Sequence, residues 1–264
     1  MKRNLPFLAV FLLLLASSAV LPAQDTAPTR APDFHAPYLI APLYFPPVAN
    51  APFMAIAKTL VVRILPDGST VTSQNARVVA RDMDGRIFQE RRRFVPVPNP
   101  DNRPSLVRVN DYYDPLAHTV YDCNPYTRVC NIYNYHPIMS QPPTPVGLRP
   151  GGRTYLTREN LRTDMLDGQE AIHTRETFTV FSQTIGNTKN IIRVVDYWYS
   201  PTLGINLKVV RHDPRDGDQT LWLTDLNLSA PDPATFRAPA DYRIVDHRKP
   251  AAQTPPNGAE VVTQ

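Results

Sequence analysis

The side chains able to do chemistry are few and scattered along this chain. Its six histidines, His35, His118, His136, His173, His212 and His247, fall without the spacing of a ligand set. A hairpin register that opposes His118 to Tyr135 would bring His136 near, so a metal site of His118, His136 and Asp122 can be drawn. The simpler reading is a histidine at a strand end, and neither a metal nor a cofactor is expected. The segment His212-Asp213-Pro214-Arg215-Asp216-Gly217 is the densest polar cluster. An acid/base pair is conceivable there, but Asp, Pro and Gly are what a strand-to-strand turn needs, and Arg215 can pair with a neighbouring carboxylate. Asp196, between Val195 and Tyr197, is expected to face solvent on the polar side of its strand, with burial beside a partner as the alternative. HExxH, phosphate-loop and GxSxG signatures are absent, so no catalytic residue is assigned and the chain reads as a non-enzyme.

Aromatic residues are the stronger signal. Tyr197, Trp198 and Tyr199 run together, with Trp222 further on, and these four are the candidate ligand-binding residues. Strand alternation sends Trp198 to one side and Tyr197 and Tyr199 to the other. They could line an apolar ligand groove or stack on sugar rings, although core and cross-strand packing is the commoner role of such residues. Tyr112, Tyr113, Tyr121, Tyr126, Tyr133 and Tyr135 crowd a hairpin that also holds Cys123 and Cys130, the only cysteines. A four-residue turn at 125–128 sets the two cysteines opposite each other, and a disulfide closing so short a loop contributes about 2–3 kcal/mol on the chain-entropy model.

The elements that carry these residues begin with an export signal. Lys2 and Arg3 precede an apolar run from Leu5 to Val20, and Ala23 offers cleavage before Gln24, so residues 1–23 read as a signal peptide. Export places the cysteines in a periplasmic or extracellular compartment where a disulfide persists. No later apolar stretch is long enough to span a membrane, so a soluble mature chain without a transmembrane segment is expected. Of 28 Lys+Arg against 24 Asp+Glu, removal of Lys2 and Arg3 leaves 26 against 24. That balance is no nucleic-acid footprint, and Arg91-Arg92-Arg93 beside Glu90 reads as a solvated strand face.

Prolines divide the remainder. Residues 24–52 form a Pro-rich arm, residues 53–248 the folded body, and residues 249–264 a disordered tail. Within the body, halves 53–136 and 153–248 are joined by the Pro/Gly-rich segment 137–152. Apolar residues follow the two-residue strand period. Asp-Gly pairs at 67–68, 84–85, 167–168 and 216–217 mark hairpin tips, because glycine supplies the positive φ that tight turns require. Strands are predicted near 58–65, 70–81, 86–95, 105–111, 117–123, 129–135, 160–166, 169–181, 190–199, 205–212 and 219–229. At Asp84-Gly85 a three-residue loop opposing Ala80 to Phe88 is preferred, since a two-residue loop would oppose Arg77 to Arg92.

Several stretches together resemble a group of uncharacterised exported proteins common in acidobacteria. They include Leu65-Pro66-Asp67-Gly68, Val79-Ala80-Arg81-Asp82 with Gly85-Arg86, Tyr197-Trp198-Tyr199-Ser200-Pro201, Asp213-Pro214-Arg215, and Pro231-Asp232-Pro233 leading to Phe236. That group is distantly similar to the periplasmic lipoprotein-carrier (LolA/LolB-like) superfamily, which implies a curved antiparallel sheet closing partway around an apolar concavity.

The fold expected is all-β: a single, strongly curved, half-barrel-like antiparallel sheet with few or no helices. The leading function is non-catalytic binding of a lipid or other apolar or amphipathic ligand in the periplasm or envelope. A structural or protein-interaction module with an envelope protein partner is the first rival, and a secreted hydrolase with a dispersed site the second.

Overall fold

The computed structural model describes residues 45–136 and 144–248. The export segment 1–23, arm residues 24–44, linker residues 137–143 and the tail 249–264 lie outside the described residues. The strands are β1 (Phe53–Ile64), β2 (Thr70–Arg81), β3 (Ile87–Arg92), the two-residue β4 (Val95–Pro96), β5 (Val107–Asp114), β6 (Thr119–Asn124), β7 (Val129–Asn134), β8 (Gly147–Leu148), β9 (Thr154–Leu166), β10 (Gln169–Val180), β11 (Ile191–Ser200), β12 (Ile205–Asp213), β13 (Gly217–Asn227) and β14 (Arg243–Asp246). A 3-10 turn, Pro233–Phe236, lies between β13 and β14. No α-helix occurs among the described residues.

These strands belong to one sheet, in the order β14-β7-β6-β5-β3-β2-β1-β13-β12-β11-β10-β9-β8, with β4 pairing β2 off this path. Two antiparallel meanders, one from each half of the chain, are thus fused where β13 returns to pair β1. Among the described strands only β14 pairs in parallel, on β7. All four Asp-Gly pairs sit at turns, with φ of +83°, +83°, +75° and +91° at Gly68, Gly85, Gly168 and Gly217. Ala80 opposes Phe88, which is the three-residue-loop register. At Gly217 a Cβ would lie 2.1 Å from the Val62 carbonyl oxygen, so the β12–β13 tip presses on β1 and admits no side chain.

The sheet is strongly curved and open. Four strand spacings separate β13 from β9, roughly 19 Å in a flat sheet. Yet the carboxylate of Asp167, at the β9–β10 turn, accepts a hydrogen bond from the Leu226 N–H in β13 at 2.7 Å.

Register sorts side chains onto two faces. One, the apolar face, carries Phe53, Ala55 and Ala57 from β1, Val79 from β2, Leu221 and Leu223 from β13, Val209 from β12 and Val195 from β11, all buried in a single core cluster with Phe45. Phe45 comes from the predicted arm, so the end of that arm packs on the body. The other, the tryptophan face, carries Lys58 and Leu60 from β1, Trp222 from β13, Lys208 from β12, Trp198 from β11 and His173 from β10.

Arg81, at the end of β2, is fully buried, and among the described residues its hydrogen-bond partners are carbonyls instead of carboxylates. Its guanidinium donates to three of them: Ala51 at 2.8 Å, Pro46 at 2.9 Å and Leu203 at 2.6 Å. Burial lowers its pKa to about 10, and it remains a cation at neutral pH. Its face also meets the Phe53 ring at 5.1 Å. One side chain therefore ties the arm, the first meander and the β11–β12 loop of the second.

The Cys123–Cys130 disulfide forms across the β6–β7 hairpin. Around it pack Tyr112, Phe88, Tyr121, Ala238 and Tyr242. Arg91-Arg92-Arg93 is more engaged than a solvated face: Arg91 pairs with Asp111 and Asp122, and Arg92 with Glu90.

Replacing Arg81 with Met is expected to cost about 3 kcal/mol in urea unfolding, because two buried carbonyls and one partly buried carbonyl lose their donor. Arg81→Lys should recover less than half of that, since one ammonium lacks the planar fork needed to reach three carbonyls.

Candidate functional site

The tryptophan face holds a pocket of about 510 Å³. Leu60 from β1, Thr220, Trp222 and Thr224 from β13 and Lys208 from β12 form its wall on this face, and Leu207 and Leu223, which alternation assigns to the apolar face, also contribute to its lining. The curled β9–β10 turn closes it with Leu166 and Asp167. The Asp167–Leu226 hydrogen bond that fixes the curl therefore also shapes the pocket. The volume lies in the range of small-ligand sites, which are apolar with a few placed polar groups.

A row of three residues crosses this wall. Lys58 opposes Trp222 across the β1–β13 pair, and Trp222 opposes Lys208 across the β12–β13 pair. The Lys208 ammonium sits 4.6 Å above the Trp198 ring, a cation–π contact. Trp198 is itself buried: its indole N–H donates to Asp164 at 2.8 Å, and its ring stacks on His173 with centroids 4.1 Å apart. Behind the stack, His173 Nε2 lies 2.9 Å from Asp196 Oδ1, and Arg175 donates to both oxygens of Asp196 at 2.9 and 3.0 Å.

This overturns the solvent-facing expectation for Asp196, which is 8% exposed. Burial opposes its charge, but the Arg175 and His173 hydrogen bonds outweigh that and hold its carboxyl below the usual range. The Asp164 carboxyl is lowered too, chiefly by Arg162 and then by the Trp198 N–H. His173, Asp164 and Asp196 converge as titratable groups, yet none of them lines the pocket.

The four aromatic candidates are not brought together. Trp222 lines the pocket and Trp198 underpins it through Lys208. Tyr197 lies on the opposite face, in a smaller pocket of about 100 Å³ that also has Arg193, Val195, Val209, Arg211, Gln219 and Leu221 in its lining. Tyr199 is exposed and lines neither pocket. Of the crowded tyrosines, Tyr112 and Tyr135 are buried, while Tyr126 and Tyr133 are exposed. His118 does oppose Tyr135, whose N–H donates to the His118 carbonyl at 2.8 Å. Among the described residues no group of three or more His, Cys, Asp or Glu is arranged to hold a metal ion.

Sequence reasoning missed Lys58, Lys208, Leu60 and Leu166. The signal was present in part: each lysine interrupts an apolar strand, and both fall opposite Trp222 once the register is known.

The polar cluster at 212–217 is a turn. Asp213 is fully buried and receives Arg215 through its side chain at 2.9 and 2.8 Å and through its backbone N–H at 3.1 Å. The Arg215 hydrogen bond leads, and Arg211 adds to it, in lowering the Asp213 carboxyl to about 2.

No family model matches the chain, and no curated protein matches it. The resemblance to the exported acidobacterial group is thus carried by its motifs alone. Among solved structures, the chain is similar to an uncharacterised conserved protein from Thermus thermophilus, with TM-score 0.37 and 14% identity over 74% of this chain and 90% of that one. It is similar to the MucA/MucB complex of Pseudomonas aeruginosa, with TM-score 0.37 and 12% identity over 74% of this chain and 58% of that one. A LolA superfamily protein from Nitrosomonas europaea is similar at TM-score 0.27 and 12% identity, over 72% and 91% of the two chains. At these scores the likenesses assign neither ligand nor partner.

Because the Asp213 carboxyl is depressed below its ordinary 3.8 in the folded chain, its stabilisation is present above about pH 4 and is lost as pH falls through about 2. Asp213→Asn is expected to lower stability by about 2 kcal/mol at pH 6. The gap from the parent protein should narrow between pH 4 and pH 2.5 in urea titrations; a gap independent of pH would contradict the assignment.

Proposed function

We propose that this protein is a non-catalytic binding protein of the periplasm or cell envelope, holding an apolar or amphipathic ligand against Trp222. The observation that carries this reading is the pocket of about 510 Å³ lined from the tryptophan face by Leu60 and Trp222 and closed by Leu166. Burying a chain of a few methylenes there contributes about 0.8 kcal/mol for each one withdrawn from water. Thr220, Thr224, Lys208 and Asp167 add the few polar groups that would orient a head group. Export is supported by the charge-then-apolar start of the sequence and by the Cys123–Cys130 disulfide, which persists in an oxidising compartment.

The hydrolase reading loses ground. His173, Asp164 and Asp196 are drawn into a stack beneath Trp198, with His173 only 5% exposed, and they do not open onto either pocket.

The test is native mass spectrometry of the purified protein, followed by organic extraction and identification of what is released. The protein is expected to carry an extractable apolar molecule. Leu60→Trp, which fills the pocket, and Trp222→Ala, which removes its wall, should each reduce retention at least tenfold, about 1.4 kcal/mol. Protein that stays empty after exposure to fatty acids and phospholipids, or retention unchanged in both variants, would refute the proposal.

A further inference from the structure

The smaller pocket lies on the apolar face and is independent of the ligand pocket. Its floor is apolar, made by Val195 of β11, Val209 of β12 and Leu221 of β13. Its other lining groups are Arg193 and Tyr197 from β11, Arg211 from β12 and Gln219 from β13. The register explains the grouping: Val195 opposes Arg211, and Arg211 opposes Gln219, so two cationic strand positions and an amide meet over one floor.

Donors there that are buried without a hydrogen-bond partner among the described residues include the Nε of Arg193 and the Nε2 of Gln219, whose residue is 5% exposed. Leaving such donors dry and unmatched costs on the order of 1–3 kcal/mol each. Arg193 makes no ion pair among the described residues; its guanidinium rests on the Phe178 ring, 4.0 Å from the centroid. Neighbouring carboxylates are already engaged: Asp213 by Arg215, Asp216 by Arg211, and Glu176 by Arg158. Burial disfavours the Arg193 charge, and the nearby Arg211 disfavours it further. A volume of about 100 Å³ is room for about three waters, or for one tetrahedral oxyanion.

We propose that this pocket is a binding site for a small oxyanion of phosphate type, with Arg193 and Gln219 as its principal donors and Tyr197 closing one side. An oxyanion accepts from both orphan donors at once and supplies the negative charge that Arg193 lacks. Water matches the donors but not the charge. Phosphate chemistry is offered both by the free anion and by a phosphomonoester head group.

The test is a thermal melt of the purified protein at pH 7.5 with sodium phosphate, against sodium chloride of equal ionic strength. Phosphate at ten times its Kd is expected to raise Tm by about 4 °C in a saturable manner. Arg193→Met and Gln219→Leu should abolish that rise while leaving the phosphate-free Tm unchanged or higher, because each removes an unmatched buried donor. Dihexanoyl phosphatidate separates the sources: affinity at least tenfold above inorganic phosphate, lost in Arg193→Met, identifies a head group, and equal affinity identifies the free anion. Either result supports the site. A phosphate response no larger than that of chloride overturns it, as does a pair of variants that melt lower yet keep the response.

Discussion

The arrangement of the molecule depends on one buried cation. Arg81 reaches Ala51, Pro46 and Leu203, three carbonyls from two separate stretches of chain, the arm and the β11–β12 loop. A guanidinium suits that position because its planar fork satisfies several acceptors at once, and carbonyl dipoles offset the loss of water with no counter-charge among the described residues. The two meanders pair along β1 with β13, and the chain after β13 returns to the first meander through β14 on β7. Across the apolar face, Arg81 adds an attachment from β2 to the arm and to the β11–β12 loop.

That attachment leaves the other face of the sheet to build a concavity. The β9–β10 turn curls back to β13 through Asp167, and the wall beneath it carries Trp222 between two lysines. The supports of the wall hold one another in place. Trp198 is held by Asp164, His173 and Lys208, and His173 is in turn held by Asp196 and Arg175. A binding surface backed by such a hydrogen-bonded network keeps its shape when empty, which lowers the entropic cost of taking up a ligand. The two pockets fall on opposite faces because adjacent strand residues alternate, so Tyr197 and Trp198 serve different environments.

Much of the fold was legible because its determinants are local. Asp-Gly turns need positive φ, and the β6–β7 hairpin length sets Cys123 opposite Cys130. The strand bounds predicted for 70–81 agree with β2 to the residue. What escaped the sequence was non-local. The start of β1 at Phe53–Ala57 was lost behind Pro52 and small alanines, and the first half of β9 behind its polar run from Thr157 to Asn160. Strand β14 is defined only by its parallel partner β7, more than a hundred residues earlier. Asp196 was assigned to solvent because the partners that offset its burial, His173 and Arg175, come from the preceding strand in a register that alternation alone does not fix. The tryptophan half of the candidate site was visible as residue type, whereas the pocket needed the curl, and Asp167 gave no sign that its carboxylate closes it.

The most direct measurement uses the two tryptophans as separate reporters. In Trp198→Phe protein the sole indole is Trp222 in the pocket wall; in Trp222→Phe protein it is Trp198, buried beneath Lys208 and His173. A dibrominated fatty acid quenches an indole only on close approach. Strong, saturable quenching is expected in the first protein and little in the second. Equal quenching of both reporters, or none of either, would contradict it.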